Sequence, residues 1–502
     1  MPSCQSAPMS VAPRTSADQL PEPPALYFDP DERSWVMAAD TASRFVLVPR
    51  LDGNLITDPS ALADMADDFG HLIHRTPLAW LRPGSTADVV TMVRFARRHG
   101  IRLVGRGCGH TAFGQAQAEA GLVVDMRSLC QIHDIMLDRV RVDAGVIWRD
   151  LILATTAVGL TPPVLTDFTA LTVGGTLSVG GVGGRSFRYG AQVDQVVELQ
   201  VVTGQGELLT CSAEAHAGLF YGMLAGLGLC GIVVQATLRL IPTRQHARTY
   251  RFFYPDHTTL LADLRWLTTC SAIDYIRGNA VPIPAQSATP AGGPGSRRLR
   301  FQFFLEATVF YDDVGELAGL PDLDLPVAGE ADQVEDRTYV AFTDQVVQLV
   351  NELDAAGLGQ LPHPWLDLFV PDSAVKHVST DILAQLDDTT FGPGSLLLFY
   401  PFSRDTLRCP LFRVPDEPTF VLVDILRTIA PDPDLMAAVV ARNRHLYERV
   451  VSTGGQLYPI SAVPMDTRDW ARHFGPLWQE LTRTKQQYDP DALLGAGLRI
   501  FD

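Results

Sequence analysis

The glycine-rich segment at positions 105–116, G-R-G-C-G-H-T-A-F-G-Q-A, constrains the fold of this chain more than any other feature of its sequence. It follows the apolar run from Ile101 to Val104, which predicts a strand. Glycine permits tight turns and lets backbone N–H groups approach a ligand, so a glycine-dense loop after a strand predicts a cofactor-binding loop. His110 adds a side chain that could bond to such a ligand, although on the loop alone it could also be a turn histidine that bonds to backbone carbonyls.

A second glycine-dense segment, L-T-V-G-G-T-L-S-V-G-G-V-G-G, covers positions 171–184. Its glycines are too many and wrongly spaced for the dinucleotide-binding pattern G-x-G-x-x-G, and no glycine-rich loop of the chain contains the lysine of a phosphate-binding P-loop. Hydrophobic periodicity around the two loops predicts alternating helices and strands, which indicates an α/β or α+β domain. The predicted helices cover 87–99 and 148–158, and the predicted strands cover 122–125, 140–143, 196–203 and 232–241.

Composition narrows the class of protein. A chain of 502 residues with 46% hydrophobic and 19% charged residues predicts two or three folded domains. The net charge of -17 and the absence of a basic stripe argue against nucleic acid as a partner. Seven cysteines without a C-x-x-C pair fit neither a zinc ribbon nor a disulfide framework, so we expect a reduced, cytoplasmic protein without a structural metal.

No apolar run is long enough to span a membrane. Residues 1–24 predict a disordered leader, and residues 285–298 predict a flexible surface loop.

Further motifs follow the two loops in order: T-D-F-x-x-L-T-V-G-G-T-L-S at 166–178, F-R-Y-G at 187–190, G-L-G-L-C-G-I at 226–232, P-H-P-W-L-D-L-F-V-P at 362–371, and R-H-F-G and Y-D-P near the C-terminus. With these motifs the chain resembles the covalent flavoproteins of the vanillyl-alcohol oxidase superfamily, and within them the cytokinin dehydrogenases. The resemblance implies an α+β fold with a PCMH-type FAD-binding domain of two subdomains, and a substrate domain whose large antiparallel sheet is flanked by helices. The implied boundaries are 25–245 for the FAD-binding domain, 246–460 for the substrate domain, and 461–502 for a C-terminal segment that completes the FAD-binding domain.

The same resemblance assigns cofactor-binding residues. It implies that His110 is bonded covalently to the 8α-methyl group of FAD, which suits the nucleophilic nitrogen of a neutral imidazole. A second covalent bond from cysteine, found in some relatives, is not expected because residues 171–190 contain no cysteine. Cys108 is expected to be a small buried packing residue. The matching motif positions that would contact FAD are Arg106, Gly107, Gly109, Thr111, Gln115, Thr172, Ser178, Val182 and Val233.

Asp167 is the candidate base. It follows the apolar stretch 162–165, which predicts apolar surroundings that favour the neutral acid. The resemblance implies that this aspartate accepts the N–H proton of a secondary amine while the adjacent C–H delivers hydride to flavin N5, giving an imine that water later hydrolyses. An aspartate that caps a turn or a helix is the structural alternative.

The substrate side departs from the family pattern. Cytokinin dehydrogenases usually carry glutamate in a D-Y-V-E-G segment, whereas this chain has Arg277 in D-Y-I-R-G. A guanidinium only donates hydrogen bonds and would suit an anionic or carbonyl-rich substrate, unless Arg277 points to solvent. Val346 and Trp365 match pocket-wall positions and would hold a flat or isoprenoid-like substrate, unless they are ordinary core residues. The family's S-P-G-Q near the C-terminus is replaced by Gly495-Ala496-Gly497-Leu498.

The leading hypothesis is therefore an FAD-linked oxidase or dehydrogenase that cleaves the side chain of N6-isoprenoid adenines, with dioxygen or a quinone as electron acceptor. The second is an oxidase of secondary metabolism that acts on a different, anionic alcohol or amine, as Arg277 suggests. A flavin-binding protein without turnover is a third hypothesis, against which the retained Asp167 argues.

Overall fold

The computed structural model describes residues 25–37, 44–283, 297–317 and 325–501. The predicted leader, and the predicted loop at 285–298 apart from its last two residues, lie outside these ranges. The chain divides into two compact units, Met1–Arg50 and Leu51–Asp502. The first unit contains a three-stranded antiparallel sheet in the order β2-β1-β3, in which Arg44 pairs with Asp29 at 2.9 Å. Its strands are β1 (Leu26–Asp29), β2 (Ser34–Met37) and β3 (Val46–Leu47).

The second unit begins with a four-stranded sheet in the order β4-β5-β7-β6. Strand β7 pairs in parallel with both β5 and β6, while β4 pairs antiparallel with β5. Helix α2 connects β5 to β6, which lie on either side of β7, and it starts at the Ser85 N-cap. The first glycine loop begins at the end of β6. The elements here are β4 (Asn54–Ile56), α1 (Pro59–Leu62), β5 (Ala79–Arg82), α2 (Thr86–Arg98), β6 (Leu103–Arg106) and β7 (Leu122–Asp125).

A five-stranded antiparallel sheet in the order β12-β11-β13-β9-β8 follows, together with a two-stranded sheet of β10 and β14. The predicted strand at 232–241 is interrupted after Arg239, and its last part pairs with β10 instead. The second glycine-dense segment forms a short helix, α4, whose N-cap is Thr172. The elements are β8 (Ile132–Ile135), β9 (Arg139–Asp143), α3 (Trp148–Thr156), β10 (Leu160–Thr161), α4 (Val173–Leu177), α5 (Ser186–Tyr189), β11 (Val196–Thr203), β12 (Leu208–Ser212), α6 (Ala217–Met223), β13 (Gly231–Arg239) and β14 (Ile241–Pro242).

The largest sheet has eight strands in the order β18-β15-β17-β16-β20-β21-β19-β22, and every neighbouring pair is antiparallel. Helices α7, α10 and α11 pack against it. The shared core contains Phe252, Leu305, Leu368, Phe399 and Val423. The elements are β15 (His246–Tyr254), α7 (His257–Thr268), β16 (Tyr275–Pro282), β17 (Phe301–Tyr311), α8 (Val314–Leu317), β18 (Gln333–Thr338), α9 (Tyr339–Ala355), β19 (Leu366–Pro371), α10 (Asp372–Gln385), β20 (Leu396–Ser403), β21 (Thr419–Leu426), α11 (Pro433–Ser452), β22 (Gln456–Leu457), α12 (Thr467–Phe474) and α13 (Trp478–Tyr488).

The C-terminal segment returns to the first sheet of this unit. The Leu103 amide donates to the Leu493 carbonyl at 2.7 Å. The buried Lys485 ammonium donates to the Leu229 carbonyl at 2.9 Å and also pairs with Asp489. The α+β fold with a large helix-flanked antiparallel sheet is therefore confirmed, while the boundaries at 245/246 and 460/461 stay predictions. Across the described ranges, no helix combines the length and the apolar character that crossing a bilayer requires.

Candidate active site

One cavity of about 1110 Å³ brings the candidate site residues together. The glycine loops form one part of its wall, and strands of the eight-stranded sheet together with α9 form another. All fourteen residues singled out in the sequence line this cavity: Arg106, Gly107, Gly109, His110, Thr111, Gln115, Asp167, Thr172, Ser178, Val182, Val233, Arg277, Val346 and Trp365.

His110 lies among aromatic rings. Its ring centroid is 4.1 Å from that of Phe69 and 5.0 Å from that of Phe168, and Trp365 meets it edge-on at 5.5 Å. Burial, with a smaller contribution from His363, lowers the pKa of His110 to about 4, so the imidazole is neutral at physiological pH. Neither ring nitrogen has a hydrogen-bond partner within the described ranges. The alternative of a turn histidine bonded to carbonyls therefore finds no support.

Two residues hold the loop that presents His110. The Asp68 carboxylate accepts hydrogen bonds from the Thr111 hydroxyl at 2.8 Å and from the Gly114 amide at 2.6 Å. Burial raises the pKa of Asp68 to about 6. The Arg106 guanidinium donates to the Asp67 carbonyl at 2.6 Å, which places Arg106 behind the loop as a support. Gly109 and Gly114 have φ angles of 67° and 77°, a conformation that glycine adopts without the strain of a side chain.

The cavity wall beside His110 presents bare backbone that fits a large cofactor. Gly105, Gly107, Gly175, Gly228 and Gly231 line it. A Cβ atom built on Gly228 meets no protein atom within 4 Å, so space is open there. Several residues predicted to contact FAD use their side chains in hydrogen bonds within the protein. The Ser178 hydroxyl and the Gln115 amide each donate to a backbone carbonyl, and the Thr172 hydroxyl caps α4. The groups left for a ligand are mainly backbone N–H groups, which suit a pyrophosphate.

Asp167 has polar surroundings, contrary to the apolar surroundings expected from its sequence neighbours. Its Oδ2 atom accepts three hydrogen bonds, from the Tyr400 hydroxyl at 2.6 Å, the Tyr275 hydroxyl at 2.7 Å and the Arg277 guanidinium at 2.7 Å. Two phenols and one guanidinium therefore fix the position of this oxygen. Asp167 caps neither a turn nor a helix, so that alternative is wrong. Its Oδ1 atom accepts no hydrogen bond from any residue that the structure describes.

Arg277 neither points to solvent nor is available to an anion. Its side chain is 13% exposed and donates to Asp167 through Nη1 and to Glu306 through Nε, at 3.0 Å, and Nη2, at 2.6 Å. Glu306 also pairs with Arg251 at 2.7 Å. Burial opposes the charge of Glu306, but the two guanidiniums outweigh it and lower the pKa of this carboxyl below its usual value. The expectation that Arg277 selects an anionic substrate is therefore corrected, because its charge is already neutralised.

Other parts of the wall are apolar. Val346 lies on α9, and Trp365 lies just before β19; both are half-buried and line the cavity, so neither is a fully buried core residue. Leu349, Leu353 and Phe304 extend this apolar surface. It suits a hydrocarbon substituent.

Sequence reasoning missed several residues of the site. Tyr275 lies two positions before Arg277 on β16, so strand alternation could have placed both on one face. Tyr400 comes from β20, and Asp68 and Phe69 precede the first glycine loop by about forty positions. No local pattern connects these residues to His110 or Asp167.

Comparisons with known proteins identify the family of this chain. A family model described as "FAD binding domain" matches residues 77–212, and one described as "Cytokinin dehydrogenase 1, FAD and cytokinin binding" matches residues 324–501. Cytokinin dehydrogenase 10 of Oryza sativa subsp. japonica is 33% identical over 89% of this chain and 88% of its own length. This chain belongs to the cytokinin dehydrogenase family.

As a cytokinin dehydrogenase family member, the protein is an FAD-dependent oxidoreductase. Cytokinin dehydrogenase 1 of Oryza sativa subsp. japonica is 32% identical over 90% of this chain and 92% of its own length. An oxidoreductase encoded as ORF5 in the fasciation locus of Rhodococcoides fascians is 34% identical over 88% of this chain and 98% of its own length. The first family model includes His110 and Asp167, and the second includes Val346 and Trp365.

Proposed function

We propose that this protein oxidises a neutral secondary amine of the N6-isoprenoid adenine class, with Asp167 as the base and with FAD attached covalently through His110. The observation that carries the proposal is the Asp167 carboxylate, whose Oδ2 is held by Tyr275, Arg277 and Tyr400 while Oδ1 accepts no hydrogen bond from a described residue. The names of the plant relatives support the substrate class.

His110 meets the chemical requirements of the covalent bond. Its imidazole is neutral because burial lowers its pKa to about 4, so a ring nitrogen keeps its lone pair. The aromatic rings of Phe69 and Phe168 fix the orientation of the ring. FAD, when bound, supplies the hydride-accepting chemistry.

Asp167 would act in the deprotonation of the substrate. Its Oδ2 is occupied, so Oδ1 is the atom that would accept the amine N–H proton as the neighbouring C–H bond breaks. Tyr275 and Tyr400 keep their own protons, because burial raises the pKa of both phenols well above the usual value. They therefore orient the carboxylate without competing for the role of base.

The charges of the cavity favour a neutral substrate. Arg277 and Arg251 pair with carboxylates, Arg106 donates to backbone carbonyls, and Arg337 pairs with Glu335 at 2.7 Å. Each of the arginines that line the cavity thus already has an acceptor. An anionic substrate would lose its hydration without gaining a free cation, which opposes the second hypothesis.

Product analysis tests the proposed reaction. Purified holoenzyme is incubated with N6-isopentenyladenine and either dioxygen or a quinone as acceptor, and the products are separated chromatographically. We expect adenine and the side-chain aldehyde in equal amounts. Unchanged substrate, together with turnover of a carboxylate-bearing amine or alcohol, would instead support an oxidase of secondary metabolism.

Acid precipitation tests the covalent bond separately. We expect the wild-type flavin to stay with the precipitated protein, and the flavin of His110→Ala to be released. His363→Ala is the matched control, because His363 is also buried and stacks on the same Phe69 ring at 4.4 Å. Complete release of flavin from well-folded wild-type protein would overturn the covalent assignment.

A further inference from the structure

The cavity contains a second carboxyl cluster that the reaction described above does not use. Asp367 on β19 and Asp424 on β21 face each other directly across the antiparallel pair. Both line the cavity that contains Asp167, and their exposed fractions are 1% and 8%. Residues directly opposite each other on neighbouring strands have their Cβ atoms within about 5.5 Å, so two carboxylates here would repel each other strongly.

The charge of the nearby Arg427 offsets this repulsion only in part, because burial dominates and the pKa of Asp367 stays raised. Within the described ranges neither Asp367 nor Asp424 forms an ion pair, and the nearby Arg427 donates to Asn443 at 3.1 Å instead. Ser461 provides a neutral hydroxyl, at 2.9 Å from Oδ2 of Asp367. The Oδ1 atom of Asp424 is buried without a donor from the described chain. A buried carboxylate oxygen without a donor is costly, and a proton between the two carboxyl groups would remove both the repulsion and the unsatisfied oxygen.

We propose that Asp367 and Asp424 share a proton in the resting protein and form a second proton-holding site of the active cavity, coupled electrostatically to Asp167. Burial is the main cause that raises the pKa of Asp367 to about 7. Burial, followed by the charges of Asp367 and Asp167, raises the pKa of Asp424 well above its ordinary value. The two groups titrate as a pair.

The groups around the pair keep a constant charge near neutral pH, so the charge that can change there is that of the pair itself. Tyr400 faces it from β20 and Tyr458 from the segment after β22, and burial raises the pKa of both phenols, so both stay neutral. Burial lowers the pKa of Arg427 to about 9, which still leaves this guanidinium protonated at neutral pH. Its positive charge acts on Asp367, and the negative charge of Asp167 acts on Asp424.

The surroundings of Asp167 and of the pair differ within one cavity. Arg277 and two phenols donate hydrogen bonds to Asp167, while burial and mutual repulsion favour a protonated pair. When Asp167 accepts a proton from the substrate, the cavity loses a negative charge, and release of the shared proton becomes less costly. The pair therefore acts on the reaction indirectly, through its charge. This coupling rests on the proposed function, whereas the sharing of the proton does not.

Infrared spectroscopy of the substrate-free holoenzyme tests the shared proton. We expect a carbonyl stretching band of a buried protonated carboxyl group at neutral pH, which both Asp367→Asn and Asp424→Asn remove, because an amide can donate to the remaining carboxylate. Asp125→Asn is the control, since Asp125 is equally buried but pairs with Arg127 at 2.8 Å; it should leave the band unchanged. Absence of such a band in the wild type would overturn the proposal.

The pH dependence of flavin reduction tests the coupling. As the pH rises through the pKa of Asp367, about 7, the wild-type pair gains a negative charge that favours proton transfer to Asp167, so we expect the reduction rate to rise about threefold beyond that of either variant. Identical pH profiles in the wild type and both variants would overturn the coupling. If isopentenyladenine reduces none of the proteins, the proposed function fails, and the infrared band still decides whether the proton is shared.

Discussion

The surroundings of His110 and of Asp167 are built in opposite ways, although both residues line one cavity. His110 lies in an aromatic, uncharged environment that one short glycine loop presents, supported by Asp68 and Arg106. Asp167 lies in a network of two phenols, two guanidiniums and a second carboxylate, contributed by β15, β16, β17 and β20. The cofactor side thus keeps an imidazole neutral by burial, whereas the substrate side surrounds a carboxylate with hydrogen-bond donors.

Replacing the base should have the largest effect. Asp167→Asn keeps the shape of the side chain but removes the proton acceptor, so we expect flavin reduction to slow by about 10²- to 10⁴-fold while FAD stays attached. Tyr400→Phe, which removes one of the three donors, should slow the same step only about tenfold. Anaerobic stopped-flow spectroscopy measures both rates. A reduction rate of Asp167→Asn equal to that of the wild type would remove Asp167 from the mechanism.

Breaking the charged network should also destabilise the fold. Arg277→Gln leaves the Asp167 and Glu306 carboxylates without their shared buried cation, so we expect a loss of about 3–5 kcal/mol in the free energy of unfolding. Arg248→Gln is the control, because the exposed pair of Arg248 and Asp336 contributes about 1 kcal/mol or less. Urea denaturation compares the variants. Equal losses for the two substitutions would show that the network around Asp167 is no more than a surface ion pair.

The aromatic side should respond to acid. Burial lowers the pKa of His363 to about 4, so its imidazole is protonated in the unfolded chain before it is protonated in the folded one. The unfolded state therefore binds more protons between about pH 6.5 and 4, so the free energy of unfolding decreases as the pH is lowered through this window. On acidification from about pH 7.5 to 5, the wild type should lose about 2 kcal/mol more than His363→Gln, as measured by urea denaturation. An equal loss in both proteins would contradict a neutral buried histidine.

The apolar wall should give the smallest effect. Val346→Ala removes two methyl groups from the cavity wall, so we expect KM for isopentenyladenine to rise about fivefold with little change in kcat. Val340→Ala on the same helix does not alter the cavity wall and should leave KM unchanged. Steady-state kinetics distinguishes the two variants. A larger change in kcat than in KM would mean that Val346 acts on the chemical step.

The same contrast explains how much the sequence could predict. The strands at 122–125 and 196–203, the helix at 87–99 and the cavity position of His110 follow from local periodicity and from a contiguous motif. The sequence leaves open whether Arg277 faces the cavity or solvent, and it does not indicate its partners, because the acceptors Asp167 and Glu306 are 110 and 29 positions away. Composition and motif spacing do not indicate such ion pairs. They depend on the register of the eight-stranded sheet.

Flavin bleaching under anaerobic conditions tests whether the substrate that meets Asp167 is a neutral amine, as expected beside an arginine whose charge is already paired. The wild-type holoenzyme is mixed with N6-isopentenyladenine, and in parallel with an analogue that carries a carboxylate on its side chain. We expect rapid bleaching by the neutral amine and none, or far slower bleaching, by the anionic analogue. Bleaching by the anionic analogue alone would contradict this expectation.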